Sequence, residues 1–377
     1  MSKDSGELAI SATCAFATSK HYKGDSFSAA LMYTDRFAKP GQGQKQEKLV
    51  WSVEILPPKH GQTVDDLLPM LSKFVELEPI GVDVTYHQEK IVNQQEENGA
   101  IVGYPQHLNP GTVPVCAALR GYYKAKVQEC VERGDFLDAK RYSIEIIPHL
   151  ICGGFSVKES EEALIDLASA GTTTVLALQG DAQDPPRAFQ RHKEGHAYAS
   201  DLVQQIVSMN AGKYIHPIKS LPKTNFCIGV AGYPEKHYNA PHLKKDMDWL
   251  KHKVDKGAHY IVTQLFFDNA KYFSFVGQAR EMGIAIPIVP GLKILETKEH
   301  LNALPRRFHI DIPASLEEAV EACGSDNNAI MHVGFEWARQ QCKELLAYGV
   351  PALHFYSSSR ASPVCDVIQK LKAELKI

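Results

Sequence analysis

Short apolar runs alternate along the chain with segments of helical periodicity, from residue 48 onwards. Turn-forming residues bound the runs, which is typical of buried strands. They predict eight strands, Leu49–Leu56, Gly81–Tyr86, Tyr142–Ile151, Thr173–Gln179, Phe226–Tyr233, Tyr260–Phe267, Ala285–Pro290 and Ala352–Tyr356. The segments between and after them carry apolar residues three and four positions apart. They predict the helices Val64–Leu77, Val113–Arg133, Lys158–Ala170, Ala197–Ala211, Pro241–Lys256, Ala270–Met282, Lys298–Leu304, Phe335–Tyr348 and Val364–Leu375.

Eight strands alternating with helices predict a parallel sheet, and eight is the number that closes a (β/α)8 TIM barrel. We therefore predict one α/β barrel domain over 48–377, with insertions around 87–140, 180–197 and 305–330, preceded by a poorly ordered N-terminal extension, 1–47. A doubly wound open sheet is the alternative, but it should carry a Gly-rich phosphate turn after its first strand. Here Pro57 and Pro58 follow that strand, and the chain contains no GxGxxG motif.

Composition narrows the functional classes. The chain has 377 residues, of which 44% are hydrophobic, and its formal net charge of −3 argues against general nucleic-acid binding. We expect no membrane association and no secretory signal, because the chain has neither a long apolar run nor a basic, then apolar, leader. The eight cysteines are scattered and none forms a CxxC, so we expect reduced thiols in a cytoplasmic protein and no metal site.

Glu54 stands out because it is a carboxylate inside the first predicted strand. Strand alternation places Ser52 and Glu54 on one face and Trp51 on the other. Trp51 suits packing against helices, so Glu54 should point into the barrel, near its carboxyl-terminal mouth. A buried carboxylate either pairs with a cation in a structural role or keeps its proton, and a kept proton suits a general acid.

Other polar residues follow the predicted strands, and active sites of (β/α)8 barrels lie at the carboxyl ends of strands. They are Thr85, His149, Asp181, Tyr233, Glu235, His237, Gln264, Lys293, Tyr356 and Arg360. Each alone has a structural explanation, such as a helix cap or a satisfied core histidine. Asp181 follows a glycine that permits close backbone approach, and Gln264 interrupts an apolar strand. Together these residues predict a barrel enzyme with an acid, a carboxylate and an amide, suited to glycoside hydrolysis, proton transfer or hydride transfer.

Ten segments, in order, resemble the methylenetetrahydrofolate reductase family. They are Val53–Pro58, Val84–Tyr86, Pro148–Cys152, Ala177–Asp181, Tyr198–Leu202, Gly232–His237, Lys253–Ala258, Thr263–Asp268, Pro290–Gly291 and His354–Tyr356. The resemblance covers about 48–377 and implies a barrel that binds FAD and reduces 5,10-methylenetetrahydrofolate to 5-methyltetrahydrofolate. The electron donor would be NADH or NADPH, which the sequence does not distinguish. A homo-oligomer is compatible with the sequence.

The resemblance also implies roles for individual residues. Glu54 would be the general acid that protonates N10 of the folate, Asp181 the carboxylate that stabilises the cationic iminium, and Gln264 and Arg360 further folate contacts. The implied FAD contacts are Thr85, His149, Leu178, Gln179, Gly180, Asp181, Tyr198, Ala199, Tyr233, Asp246 and Lys253. The reaction would be ping-pong, with the nicotinamide cosubstrate leaving before the folate binds.

The chain departs from the family at several positions. Gln179 stands where the family commonly has Arg, and Trp249 and His252 stand where some members place Asn and Arg near FAD. Larger eukaryotic members add a regulatory domain that binds S-adenosylmethionine, and we expect no such inhibition here. Two alternatives stay open at this point: another flavin-dependent barrel oxidoreductase, similar to proline dehydrogenase, and a non-catalytic folate- or flavin-binding barrel within a complex.

Overall fold

A closed barrel of eight parallel strands dominates the computed structural model, which describes residues 49–86, 90–95, 101–106, 109–180, 191–216, 222–357 and 360–376. The barrel strands are β1 (Trp51–Ile55), β2 (Gly81–Val84), β5 (Glu145–Ile151), β6 (Thr174–Leu178), β7 (Cys227–Gly232), β8 (Tyr260–Leu265), β9 (Ile288–Leu292) and β10 (Leu353–Tyr356). They neighbour one another in chain order, and β10 pairs with β1 to close the barrel. A separate antiparallel hairpin consists of β3 (Lys90–Gln95) and β4 (Ile101–Gln106).

Helices connect the strands, as parallel pairing requires. Those in the described residues are α1 (Leu68–Val75), α2 (Thr112–Glu132), α3 (Phe136–Tyr142), α4 (Val157–Ser169), α5 (Ala199–Asn210), α6 (Leu243–Asp255), α7 (Asn269–Glu281), α8 (His300–Phe308), α9 (Ala314–Ala322), α10 (Asn327–Tyr348) and α11 (Ser362–Leu375). None of them is long and apolar enough to cross a membrane. A 3-10 turn, Val64–Leu67, precedes α1.

The core has an outer layer, between strands and helices, and an inner one on the barrel axis. Trp51 belongs to the outer layer: it is fully buried, packs edge-on against Phe74 and donates its indole N–H to the Leu77 carbonyl at 3.1 Å. The inner layer contains Val50, Ile147, Leu176, Cys227, Tyr260, Val262, Val289 and Ala352. Ser52 is also buried and its hydroxyl lies 2.8 Å from His354 Nδ1. The predicted division of β1 into a helix-facing side and an inward side is therefore confirmed.

The predicted barrel and all eight of its strands are confirmed, whereas several helices were missed or misplaced. The strand predicted from Tyr142 begins at Glu145, because Tyr142 ends helix α3, whose first turn is capped by Asp135. Helix α10 begins at Asn327 instead of Phe335, since the Asp326 carboxylate accepts the first free backbone N–H groups. Helix α9 and the hairpin lie in segments predicted as insertions, and helix α3 lies in one of them except for its last two residues. The predicted extension, 1–47, lies outside the described residues.

Candidate active site

Glu54 lies at the carboxyl end of β1, where the register aligns it with Asp83 on β2 and Tyr356 on β10. Its side chain is 18% exposed, so it is largely enclosed but still reaches the mouth of the barrel. Its Oε2 atom is 3.8 Å from Nδ1 of His149, on β5. The neighbouring strands therefore bring the predicted acid and one predicted cofactor ligand into contact.

His149 is buried between two carboxylates. Its Nδ1 faces Glu54, and its Nε2 is 3.5 Å from Oδ1 of Asp83, whose side chain is only 2% exposed. Burial disfavours the imidazolium, but the contact with Asp83 and the charges of both carboxylates outweigh it, so the pKa of His149 is raised. The two carboxylates therefore favour the protonated form of His149 more than its burial disfavours it.

A second buried imidazole, His354, contacts the other oxygen of Asp83. Its Nδ1 is 3.8 Å from Asp83 Oδ2 and also contacts the Ser52 hydroxyl. Burial lowers the pKa of His354 to about 4, which the charge of Asp83 only partly opposes and that of His149 reinforces. His354 is therefore neutral, and His149 is the imidazole that balances Asp83.

Cationic side chains occupy the opposite side of Glu54. Lys293 follows β9, is buried, and donates from Nζ to the Tyr356 carbonyl at 3.1 Å. Burial lowers its pKa, whereas the nearby carboxylates of Glu296 and Glu54 act to raise it. Glu296 lies 3.7 Å from Lys293 and accepts from Arg360 at 2.8 Å. The predicted folate ligand Arg360, whose side chain is 59% exposed, is thus linked towards Glu54 by this ion-pair chain.

Gln264, the other predicted folate contact, lies near the end of β8 and is half-buried. Its Oε1 accepts from the backbone N–H of Leu265 at 2.9 Å, so the carboxamide folds against its own strand. From the end of β10, Tyr356 donates its hydroxyl to the carbonyl of Thr263, the residue before Gln264, at 2.7 Å. Gln264 would donate a hydrogen bond from its amide nitrogen to an acceptor atom of a ligand, because its oxygen already accepts from Leu265.

The predicted flavin contacts on β2 and β6 lie at strand ends. Thr85 is buried, and its carbonyl accepts from the Thr112 hydroxyl at 2.8 Å, which ties the strand end to helix α2. Leu178, Gln179 and Gly180 are half-buried, and Gly180 has a φ of +97°, a conformation that favours glycine. Asp181 follows immediately but lies outside the described residues.

The remaining predicted flavin contacts surround the β7 end and the start of helix α5. Tyr198 is 64% exposed and precedes Ala199, the first residue of α5. Lys253, on α6, donates to the Ala231 carbonyl and lies 6.0 Å from the Tyr233 ring centre. Burial lowers the pKa of Lys253 to about 8, against the opposing charge of Asp246.

Asp246 itself is buried at the start of α6. One of its oxygens accepts from the backbone N–H of His237 at 2.9 Å, which fixes the loop after β7 against the helix. Burial raises the pKa of Asp246, although that hydrogen bond and the charge of Lys253 oppose the rise. The charges of Asp246 and Lys253 thus act on each other, and Lys253 brings its amino group close to the Tyr233 ring.

Sequence patterns missed part of this site. Asp83 and His354 were not selected, and Lys293 was noted only as a polar residue at a strand end. Asp83 carries the same signal as Glu54, a charge within an apolar strand, whereas His354 appears in the sequence analysis only within a segment that resembles the family. Glu296 follows no strand directly, so nothing marked it. Within the described part of the chain, no group of three or more His, Cys, Asp or Glu side chains is arranged to hold a metal.

Comparisons with known proteins agree in the family they indicate. The model of the family described as methylenetetrahydrofolate reductase matches residues 135–372, well over half of the chain. The chain is 29% identical over 336 residues to methylenetetrahydrofolate reductase (NADH) 1 of Arabidopsis thaliana, covering 87% of this chain and 49% of that protein.

Two further relatives extend this similarity. The maize protein named methylenetetrahydrofolate reductase (NADH) 1 is 32% identical over 237 residues, covering 60% of this chain and 38% of that protein. The 5,10-methylenetetrahydrofolate reductase of Pectobacterium carotovorum is 29% identical over 222 residues, covering 59% of this chain and 68% of that protein. The chain spans about half the length of the eukaryotic relatives that match most of it.

Proposed function

Because the chain belongs to the methylenetetrahydrofolate reductase family, we propose that it reduces 5,10-methylenetetrahydrofolate to 5-methyltetrahydrofolate, with NADH or NADPH as donor and FAD as cofactor. The observation that carries this proposal is the position of Glu54, a largely enclosed carboxyl group at the mouth of a barrel of this family, in contact with His149. Relatives named for NADH and for NADPH both match, so the donor stays open.

The residues present fit FAD. The flavin would lie over Thr85, His149 and the Leu178–Asp181 segment, where the positive φ of Gly180 permits a close backbone approach. The diphosphate would lie near Tyr198 and Ala199, since the positive end of the α5 dipole favours anions. Tyr233, Asp246 and Lys253 would hold the rest, with Lys253 supplying a partly buried positive charge. When bound, FAD accepts hydride from the nicotinamide cosubstrate and donates it to the folate.

Glu54 is the proposed catalytic acid. Its carboxyl group would protonate N10 of the folate, which is a poor leaving group until it is protonated. Gln264 and Arg360 would orient the folate, and Asp181 would stabilise the cation that forms when the ring opens. The ping-pong order follows from one ligand site at the barrel mouth that the cosubstrate and the folate would occupy in turn.

The spectrum of the purified protein tests this function. Flavin absorbance should be present or restored with FAD, should bleach on anaerobic addition of NADH or NADPH, and should return when methylenetetrahydrofolate is added. A flavin that bleaches but ignores the folate would point to a different flavin-dependent oxidoreductase. A protein that cannot bind FAD would contradict the proposal.

Glu54→Gln separates the two half-reactions. Bleaching by the nicotinamide cosubstrate should survive, whereas reoxidation by the folate should slow by about 10²- to 10⁴-fold, the usual contribution of general acid catalysis. The matched control is Glu145→Gln, which removes a buried carboxylate at the amino end of β5, where Glu145 pairs with Arg120 at 3.3 Å. Unchanged folate reoxidation in Glu54→Gln would refute the acid role.

A further inference from the structure

A buried polar chain lies behind Glu54 and leads into the barrel. Its contacts run from Glu54 to His149 at 3.8 Å, on to Asp83 at 3.5 Å, on to His354 at 3.8 Å and on to Ser52 at 2.8 Å. All of these residues except Glu54 are at most 5% exposed. Four adjacent strands, β10, β1, β2 and β5, therefore contribute polar side chains to one enclosed cluster.

As a purely structural feature, the cluster would lower the stability of the fold. Burying an ionised carboxylate costs several kcal/mol unless it is well paired, and replacing buried ion pairs by apolar residues is often neutral or stabilising. Moreover, Asp83 Oδ2 and His149 Nε2 lack well-aligned hydrogen-bond partners among the described residues. Neighbouring inward positions are filled by apolar side chains such as Leu176 and Val262. Stability alone therefore gives no reason for an aspartate and two histidines here.

Charge balance identifies the protonated member. The oxygens of Asp83 face only imidazoles at ion-pair distance in the described structure, and burial keeps His354 neutral. His149 consequently carries the compensating proton, and it is also the member that contacts Glu54.

The other titratable groups near the cluster either contact different partners or stay neutral. Lys293 reaches Glu54 from the β9 side, and the hydroxyl of Tyr356 is committed to the Thr263 carbonyl. The buried hydroxyl of Tyr260 and thiol of Cys116 stay neutral, since burial first and the charge of Asp83 second raise the pKa of each.

We infer that His149, held between Asp83 and Glu54, is the proton store that recharges the catalytic acid. Asp83 is then a positioning residue, because it acts on the reaction only through His149. This inference rests on the proposed function for the role of Glu54, but the charge state of His149 and its dependence on Asp83 can be measured without any substrate.

The proton balance is simple. Glu54 gives its proton to N10 of the folate and becomes a carboxylate. The proton on His149 Nδ1 then passes to Glu54 Oε2, which leaves a neutral imidazole and a protonated Glu54; this transfer requires that Glu54, once covered by the bound folate, holds the proton more tightly than His149 does. Solvent returns one proton to His149 after the product has left. The 3.8 Å separation must shorten for the transfer, as catalytic hydrogen bonds often do when ligands bind.

Nuclear magnetic resonance of the histidine-labelled protein tests the charge state directly. The His149 resonance is assigned by its loss in His149→Gln, and its pKa is read from imidazole shifts across pH. We expect a pKa above the ordinary value of about 6.5, falling by about 1 to 3 units in Asp83→Asn and unchanged in Glu145→Gln. A His149 in the parent protein that is neutral at pH 7, or a pKa unmoved by Asp83→Asn, would overturn the inference.

The pH profile of folate-driven flavin reoxidation tests the consequence. In Asp83→Asn the alkaline limb should move to lower pH by the same amount as the pKa of His149, while flavin reduction by the nicotinamide cosubstrate keeps its profile. A rate that falls equally at every pH would show a merely structural role and would overturn the inference. If Asp83→Asn does not fold, Asp83→Ser and the parent titration still decide it. A parent protein that never reacts with folate would refute the proposed function, whereas the magnetic resonance titration would be unaffected.

Discussion

Replacing Lys253 with an uncharged residue should weaken the binding of FAD but remove the cost of partly burying a charge. Its Nζ donates to the Ala231 carbonyl in a partly buried position beside Tyr233 and Asp246. Burial lowers the pKa of Lys253 from 10.5 to about 8, so the folded protein without FAD holds this proton less tightly than the unfolded chain does. Lys253→Met keeps the length of the side chain and removes the charge.

The sign and size follow from proton linkage. Between pH 8 and 10.5 the unfolded chain binds more protons at this position, so the parent protein gains stability as pH rises, and the variant does not. The free energy of unfolding of Lys253→Met minus that of the parent should therefore be greatest below pH 8. Because Lys253 is only partly buried, we expect this difference to shrink by about 1 to 2 kcal/mol between pH 7 and 9.5, out of the roughly 3.4 kcal/mol that a shift of 2.5 units represents.

Urea unfolding of the FAD-free proteins, followed by circular dichroism at several pH values, measures this difference. The control is Lys244→Met in the same helix, which removes a lysine whose side chain is 81% exposed. FAD titrations of Lys253→Met should show affinity reduced about 10- to 100-fold, the loss expected for one charge-assisted hydrogen bond. A difference for Lys253→Met that stays constant from pH 7 to 9.5 would refute the assignment of a partly buried cation with a lowered pKa.

Three further predictions concern the frame of the site. Gly291→Ala should destabilise the fold by about 3 kcal/mol in thermal unfolding, because its Cβ would lie 2.1 Å from the Thr263 carbonyl oxygen and 2.6 Å from the Tyr356 ring. Gly277→Ala, in open space on helix α7, should instead stabilise the protein by about 0.5 to 1 kcal/mol in the same assay. Burial raises the pKa of Glu235 to about 7, so the parent protein loses stability as the pH rises from 4.5 to 7. Glu235→Gln removes this loss. In urea unfolding, the free energy of unfolding of the variant minus that of the parent should therefore grow by about 2 kcal/mol between pH 5 and 8.

The barrel was predictable from sequence because its strands are short apolar runs separated by amphipathic helices, and each signal is local. The errors fell where local signals conflict. The apolar side chain of Tyr142 continued the strand pattern, although the Asp135 cap starts a short helix that includes it. The start of α10 at Asn327 depends on the Asp326 cap, which the apolar pattern does not mark. The periodicity of the pattern predicts whether an element is a helix or a strand more accurately than it predicts the residue at which the element begins.

The same distinction between local and long-range signals applies to the candidate site. A charged residue inside an apolar strand is visible in the sequence, and the alternation along β1 was enough to turn Glu54 towards the barrel axis. The partners of Glu54 were not visible, because their proximity depends on register between strands that are far apart in the chain. His149 is 95 positions from Glu54, and His354 is 302 positions from the Ser52 that it contacts.

Only the closed barrel shows that Asp83 lies between two imidazoles and that one of them, His149, is also the neighbour of Glu54. The sequence therefore points to Glu54 as the proposed acid but not to the proposed source of its next proton. That source depends on three strands in register. Asp83 lies beneath the mouth of the barrel, so a substitution there should change the pH dependence of the reaction more than it changes the binding of a ligand.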